Sequence, residues 1–190
     1  MYRSRLILVT ATARNDRLPS APRSDAELVT LVAAGDRSAL GGLYDRYAGI
    51  LLPVAYRLLM SKDDAEDVVH DVFVGLPEAL RRYEERGALA GWLKRVTVRV
   101  ALSRLRRDEV RAAQSLDASL GAPQRDTAAA IDLESAVAAL PPSLRAVLVL
   151  KEVEGYSHAE IGDMIGISVA ASKVRLHRAL RALRRQLEER

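Results

Sequence analysis

The chain reads as all-α, two small helical domains joined by a flexible linker, and three observations predict this. Apolar residues recur at helical spacing from Asp25 to about Arg111 and again from Ile131 onward, while strand-like alternation is scarce. Ala, Leu, Arg and Glu dominate, and aromatic residues make up only 4% of the 190 positions. Between Gln114 and Ala130 the composition turns to Ser, Asp, Gly121, Pro123, Gln and Thr, which marks a linker. The expected organisation is a disordered extension over residues 1–24, a first domain over 25–111, a linker over 112–130 and a last domain over 131–190. A hydrophobic content of 49% suffices for two compact cores.

Taken in order, the extension carries Pro19, Pro22 and mixed polar residues, with nothing to bury. Its run Leu6-Ile7-Leu8-Val9 is far shorter than a signal-peptide core and is followed by Arg14, Asp16 and Arg17. A secretion signal or membrane span is therefore not expected, and the predicted location is cytoplasmic. A first helix begins at Asp25 with Leu28, Leu31 and Val32 apolar, and Gly35-Asp36 breaks it. The second runs from about Arg37 to Leu59, with Leu40, Leu43, Tyr44, Tyr47, Leu51 and Leu52 inward and Pro53 as a kink. The third spans Lys62 to about Leu76, where Pro77 is expected to end or kink it, and the fourth runs from Leu89 to about Arg111. The last domain opens with Ile131 to Leu140, breaks at Pro141-Pro142 and continues from Ser143 to Val153.

The C-terminal quarter is the most informative stretch. Ser157 is suited to cap a helix, and Glu160 three residues on completes a capping box. Ile161, Met164 and Ile165 follow at helical spacing, and Gly166 can take the positive φ that ends a helix. Ser168 then caps a second helix. At 100° per residue, Val169, Leu176, Leu180, Leu183 and Leu187 fall on one side and are expected to face the core. Ala170, Ala171, Val174, Arg178, Arg181 and Arg185 fall opposite, flanked by Lys173, Arg175 and His177. A helix-turn-helix that enters a major groove and grips phosphates has this pattern. An amphipathic helix with a solvated arginine face is the rival reading.

The net charge of +4 permits a nucleic-acid partner without demanding one. There is no cysteine, which removes disulfides, thiolate zinc sites and cysteine nucleophiles together. No cofactor or metal is expected, and no catalytic residue.

Asp63-Asp64-Ala65-Glu66-Asp67 is the sharpest feature of the first domain. Ala65, Val68, Val69, Val72, Phe73 and Leu76 form an apolar stripe, and Asp64, Asp67 and Asp71 line a neighbouring face at i, i+3 and i+7. Such a string suits a magnesium-diphosphate site of the Asp-Asp-x-x-Asp kind, but no second aspartate-rich motif accompanies it. His70-Asp71 has the look of a phosphohydrolase metal pair, yet the chain has only three histidines and no constellation closes. A solvated face favoured by the helix dipole and a docking face for a basic protein partner stay open.

With both domains read, the chain resembles the extracytoplasmic-function group of bacterial sigma factors. The motifs that carry it, in order, are Leu43-Tyr44-Asp45-Arg46-Tyr47, Asp64 to Phe73, Gly91-Trp92-Leu93-Lys94-Arg95-Val96, Leu102 to Arg107, Leu140-Pro141-Pro142, Gly155-Tyr156-Ser157 and Lys173 to Ala179. The resemblance covers about Asp25 to Glu188 and implies region 2 and region 4 joined by a linker. It implies that Asp64, Asp67 and Asp71 dock on core RNA polymerase. It further implies that a segment with Lys94, Arg95, Arg99, Arg104, Arg106 and Arg107 melts and reads the -10 element of promoter DNA. Independently of any family, that cation run with no acid among it suits phosphate and single-strand contacts. For the -35 element the implied set is Lys151, Ala170, Ala171, Lys173, Val174, His177 and Arg178. The resemblance admits an anti-sigma factor as a partner, and it implies a transcription factor and not an enzyme; a free-standing helix-turn-helix regulator is the runner-up.

Two departures matter. Where the family often has Arg-Asn-Leu-Ala-Leu-Asp, this chain has Val98-Arg99-Val100-Ala101-Leu102-Ser103, so Arg99 replaces a base-reading asparagine. In the recognition helix the common Gly-Thr-Val-Lys-Ser is Ala170-Ala171-Ser172-Lys173-Val174, which takes two hydroxyls from the outer face.

Overall fold

Short polar side chains set the starts of five helices: Ser24, Asp36, Ser61, Ser157 and Ser168 each accept from a backbone N–H of the first turn. The computed structural model describes residues 23–83, 88–114 and 133–188. Helix α1 (Asp25–Ala33) begins at Ser24, whose hydroxyl accepts from the Glu27 N–H while the Glu27 carboxylate accepts from the Ser24 N–H at 2.7 Å. Ser24 thus belongs to the fold, not to the extension expected over 1–24, and the Arg23 carbonyl accepts from Arg46. Residues 1–22 of that extension lie outside the described residues. Asp36 caps α2 (Arg37–Leu59), and Met60 closes it in the left-handed region at φ 56°.

Ser61 caps α3 (Lys62–Leu80), which runs on through Pro77 instead of ending near Leu76. A proline there loses its own amide bond and crowds the carbonyl four residues back, and burial of Leu76 and Leu80 on either side holds the helix together across it. Helix α4 (Leu89–Gln114) overruns the expected linker start at residue 112, and the linker from 115 to 130 lies outside the described residues. The core of this first unit is Leu43, Leu51 and Leu58 of α2, Val68, Val69 and Leu76 of α3, and Leu93 and Val98 of α4, all at most 1% exposed. Tyr44, expected inward, sits at the surface with its ring 4.9 Å from Phe73.

The second unit has α5 (Leu133–Ala138), α6 (Pro142–Leu148), a short π-helical segment (Val149–Val153), α7 (His158–Ile165) and α8 (Val169–Glu188). Pro142 opens α6 at a position where its missing N–H costs nothing. Ala146, Val147, Val149, Leu150 and Ile161 then join the apolar cluster of the first unit, so the two units share a core. Arg145, only 6% exposed, pins the seam. Its Nε donates to the Leu58 carbonyl at 3.0 Å, and its Nη1 donates to the carbonyls of Ala138 at 3.0 Å and Leu140 at 3.3 Å. Burial lowers the guanidinium pKa from its ordinary value. Arginine keeps its proton under such conditions, so the cost of burial is met by hydrogen bonds to carbonyl dipoles.

Candidate nucleic-acid interface

The helix-turn-helix is built as its caps predict. The Ser157 hydroxyl accepts from the Glu160 N–H at 3.2 Å, and the Glu160 carboxylate accepts from the Ser157 N–H at 2.9 Å. Gly166 ends α7 at φ 73°, a conformation costly for other residues. Gly162 is needed for a different reason: a Cβ on it would lie 2.6 Å from the Ile167 carbonyl oxygen, so the turn packs directly on this glycine. Ser168 accepts from the Ala171 N–H at 3.1 Å and starts α8.

The buried stripe of α8 differs from the expected one. Ser172, Ala179 and Leu183 are buried and Leu176 is half-buried, whereas Val169, Leu180 and Leu187 are each 44% exposed. The helix turns its small residues inward because they let α7 and α6 approach, and the Ser172 hydroxyl finds a partner in His158 Nδ1 at 2.9 Å. The opposite face keeps its expected composition. Ala170, Lys173, Val174, His177 and Arg178 are exposed and Ala171 is half-exposed, forming one continuous strip toward solvent. Lys151 lies apart from them, half-exposed in the π-helical segment.

The six α4 cations expected at the -10 element divide into three environments. Arg99, Arg106 and Arg107 are exposed. Lys94 and Arg95, in contrast, meet carboxylates of the second unit: Lys94 Nζ donates to Glu154 at 2.9 Å and Arg95 to Glu160 at 3.0 Å. Arg104 turns to α3, where it pairs with Asp64 and, at 3.2 Å, with Asp67. Burial works to lower the Arg104 pKa, but the two carboxylates outweigh it and hold it above its ordinary value. Asp71 is exposed and makes no ion pair among the described residues.

Glu160 therefore has two duties. Its hydrogen bonds from the Ser157 backbone and hydroxyl, with Arg95 beside it, hold its carboxyl below the usual carboxylate range. Trp92 is half-buried, with its ring 4.9 Å from Tyr83, a packing role on the α4 stripe. Arg145 and Glu154 had no local signal in the sequence, since their partners lie far along the chain.

Known proteins share this arrangement. Residues 43–111 match the family model for Sigma-70 region 2, and residues 130–183 match that for Sigma-70 region 4. The ECF RNA polymerase sigma factor SigM of Mycobacterium tuberculosis strain H37Rv is 31% identical over 167 residues, covering 87% of this chain and 85% of SigM. SigE of Mycolicibacterium smegmatis is 30% identical over 165 residues, and the match covers 80% of this chain and 64% of SigE. Among solved structures, CnrH in complex with the cytosolic domain of CnrY superposes with a TM-score of 0.54 at 25% identity, covering 87% of this chain and 97% of that one. The fold also matches the sigma factor RpoE solved with the anti-sigma factor NepR from Bartonella quintana, at a TM-score of 0.56 and 20% identity. No described helix is long and apolar enough to cross a membrane.

Proposed function

Because the chain belongs to the extracytoplasmic-function RNA polymerase sigma factors, we propose that it acts in the cytoplasm, joins core RNA polymerase and directs it to promoters with two elements. Asp64, Asp67 and Asp71 on α3 form the face that docks on the polymerase. Lys94, Arg95, Arg99, Arg106 and Arg107 of α4 face the -10 element, and Arg104 stands behind the docking carboxylates as the residue that orders them. The exposed strip of α8 from Ala170 to Arg178, with Lys151 on phosphate, faces the -35 element. An anti-sigma factor is the third partner we propose, on the family ground alone.

The observation that carries this reading is the coexistence, in one chain, of an exposed acidic helix face and a separate basic recognition helix. A regulator that bound only DNA would have no use for the α3 face, which presents like charges to the same solvent as the DNA. Run-off transcription tests it: adding the purified chain to core polymerase should yield a defined transcript from a promoter selected by the complex. Failure to bind core polymerase would leave the reading without support.

A further inference from the structure

His158 and Ser172 meet where the two helices of the helix-turn-helix touch. Ser172 closes the first turn of α8 and is 0% exposed, and its hydroxyl lies 2.9 Å from His158 Nδ1. A hydroxyl buried in this way must place its proton on an acceptor, because an unmade hydrogen bond in the interior costs more than a made one contributes. Among the described residues, Nδ1 is the acceptor it has. The imidazole is then neutral, with its own proton on Nε2.

Nε2 is the end of the ring that the fold leaves over. His158 is half-buried, its side chain makes no hydrogen bond to described residues besides that to Ser172, and among the described residues no buried side-chain nitrogen or oxygen lacks a partner. The Nε2–H group therefore reaches solvent. His158 is the first residue of α7, the helix that in a helix-turn-helix crosses the DNA backbone while the next one enters the groove. Through Ser172 it stands against the first two turns of α8, where Ala170, Lys173 and Val174 open to solvent. The acid in the same turn, Glu160, is held by Ser157 and met by Arg95.

We propose that His158 is a DNA-backbone contact of this helix-turn-helix, in which Ser172 fixes the neutral tautomer and Nε2–H donates to a phosphate of the duplex that α8 reads. Ser172 is then a positioning residue, acting through the imidazole. The assignment rests on the duplex reading of α8. An uncharged donor on the backbone has two signatures: it acts on every sequence alike, because phosphates carry no base identity, and it leaves the salt dependence where the cations set it.

The full chain tests this with a fluorescent duplex of mixed sequence, titrated across a salt series at about pH 8, where imidazole is uncharged. His158→Asn keeps an amide oxygen where Nδ1 accepts from Ser172 and removes the outer donor. It should bind about tenfold more weakly, the factor for one hydrogen bond to a charged group, with melting temperature and salt slope unchanged. Ser172→Ala frees the ring proton to sit on either nitrogen and should weaken binding by a smaller factor. Nitrogen NMR of His158 should show one Nε2–H tautomer in wild type, a mixture in Ser172→Ala, and an Nε2 resonance that moves when duplex is added. Unchanged affinity in His158→Asn overturns the contact, and a wild-type proton on Nδ1 overturns the role of Ser172. A salt slope shallower by about 0.9 in His158→Asn makes the imidazole a cation and overturns the neutral donor. Should His158→Asn lose its melting temperature, the wild-type spectrum decides: an Nε2 resonance shifted by duplex supports the contact, and an unmoved one overturns it. Wild type that binds no duplex overturns the reading of α8 itself.

Discussion

Arg104 on α4 reaches across to Asp64 on α3, so a cation assigned to DNA and a carboxylate assigned to polymerase neutralise each other in the free chain. The same guanidinium also takes Asp67 at 3.2 Å. Arg104 therefore sets the spacing of the acidic face. The Asp64 and Arg104 contributions should be coupled: Arg104→Ala and Asp64→Ala should each cost less than about 1 kcal/mol, and the double variant should fall short of their sum. Urea denaturation of the four chains measures it, and additive losses would show that the pair contributes nothing.

Charge reversal on the acidic face separates docking from folding. Asp71→Lys disturbs no ion pair, so it should abolish or strongly weaken core-polymerase binding with an unchanged melting temperature. Val69→Asp, at a position 1% exposed, should lower stability by at least about 3 kcal/mol, because it buries an unpaired charge. Pull-down with core polymerase beside thermal melting tells the two apart. Equal loss of melting temperature in both variants would mark the face as structural.

On α8, Arg178 and Lys173 are expected to differ in kind. Arg178→Ala should cost about 1 to 3 kcal/mol on a preferred duplex and relax selection at one base pair. Lys173→Ala should weaken all duplexes alike and shallow the salt slope by about one. Val174→Ser should shift preference away from a thymine methyl. Selection from randomised duplexes at several salt concentrations reads all three, and unchanged preference in both Arg178→Ala and Val174→Ser would remove this face from base reading.

Gly162 offers a test of the turn. Its missing Cβ would meet the backbone oxygen of Ile167, which cannot swing aside as a side chain can. Gly162→Ala should therefore cost about 1 to 3 kcal/mol and reduce duplex binding together with stability. Gly166→Ala, strained at φ 73° but with open space around the added carbon, should cost less than a clash and leave duplex affinity near wild type once folded. Melting and duplex titration of the two variants compare the mechanisms.

The α1 anchor predicts a pH profile with two limbs. At Asp25, burial works to raise the carboxyl pKa, but hydrogen bonds from Tyr47 and Arg46 outweigh it and leave the value lowered. Its stabilisation is complete above the unfolded value and is lost as pH falls through the lowered native one. Tyr47 is pushed up to about 12, first by burial and then by its bond to Asp25. Its contribution is complete below the ordinary value of 10.0 and is lost as pH rises toward about 12. Tyr47→Phe should shrink the alkaline limb, to which half-buried Tyr156 also contributes, and shrink the acid one. Denaturant melts from acid to alkaline pH measure both, and an unchanged alkaline limb in the variant would disprove the link.

Local chemistry was legible, and long-range pairing was not. Ser157, Glu160 and Gly166 announce α7 because capping involves residues three or four apart. The buried stripe of α8 was misplaced because Ser172 reads as polar until His158, fourteen residues away, takes its hydroxyl. Leucines at Leu180 and Leu187 looked like core for the same reason, since side-chain type alone does not say which face small residues let approach. Arg104, Lys94 and Arg95 find their carboxylates 40, 60 and 65 positions away, beyond any periodicity in the chain. Pro77 misled in the opposite direction, as packing of Leu76 and Leu80 overrode its breaking tendency.

The seam has two kinds of fastening, and they answer differently to the medium. Glu160 grips Arg95 by charge at its exposed rim, where dissolved ions compete for the guanidinium, whereas Glu154, with a side chain only 4% exposed, is far less screened. Arg145 grips by neutral carbonyls in the interior, out of reach of that competition. Added salt therefore loosens the lip while the rivet beneath stays shut, so ionic strength alone should not part the halves.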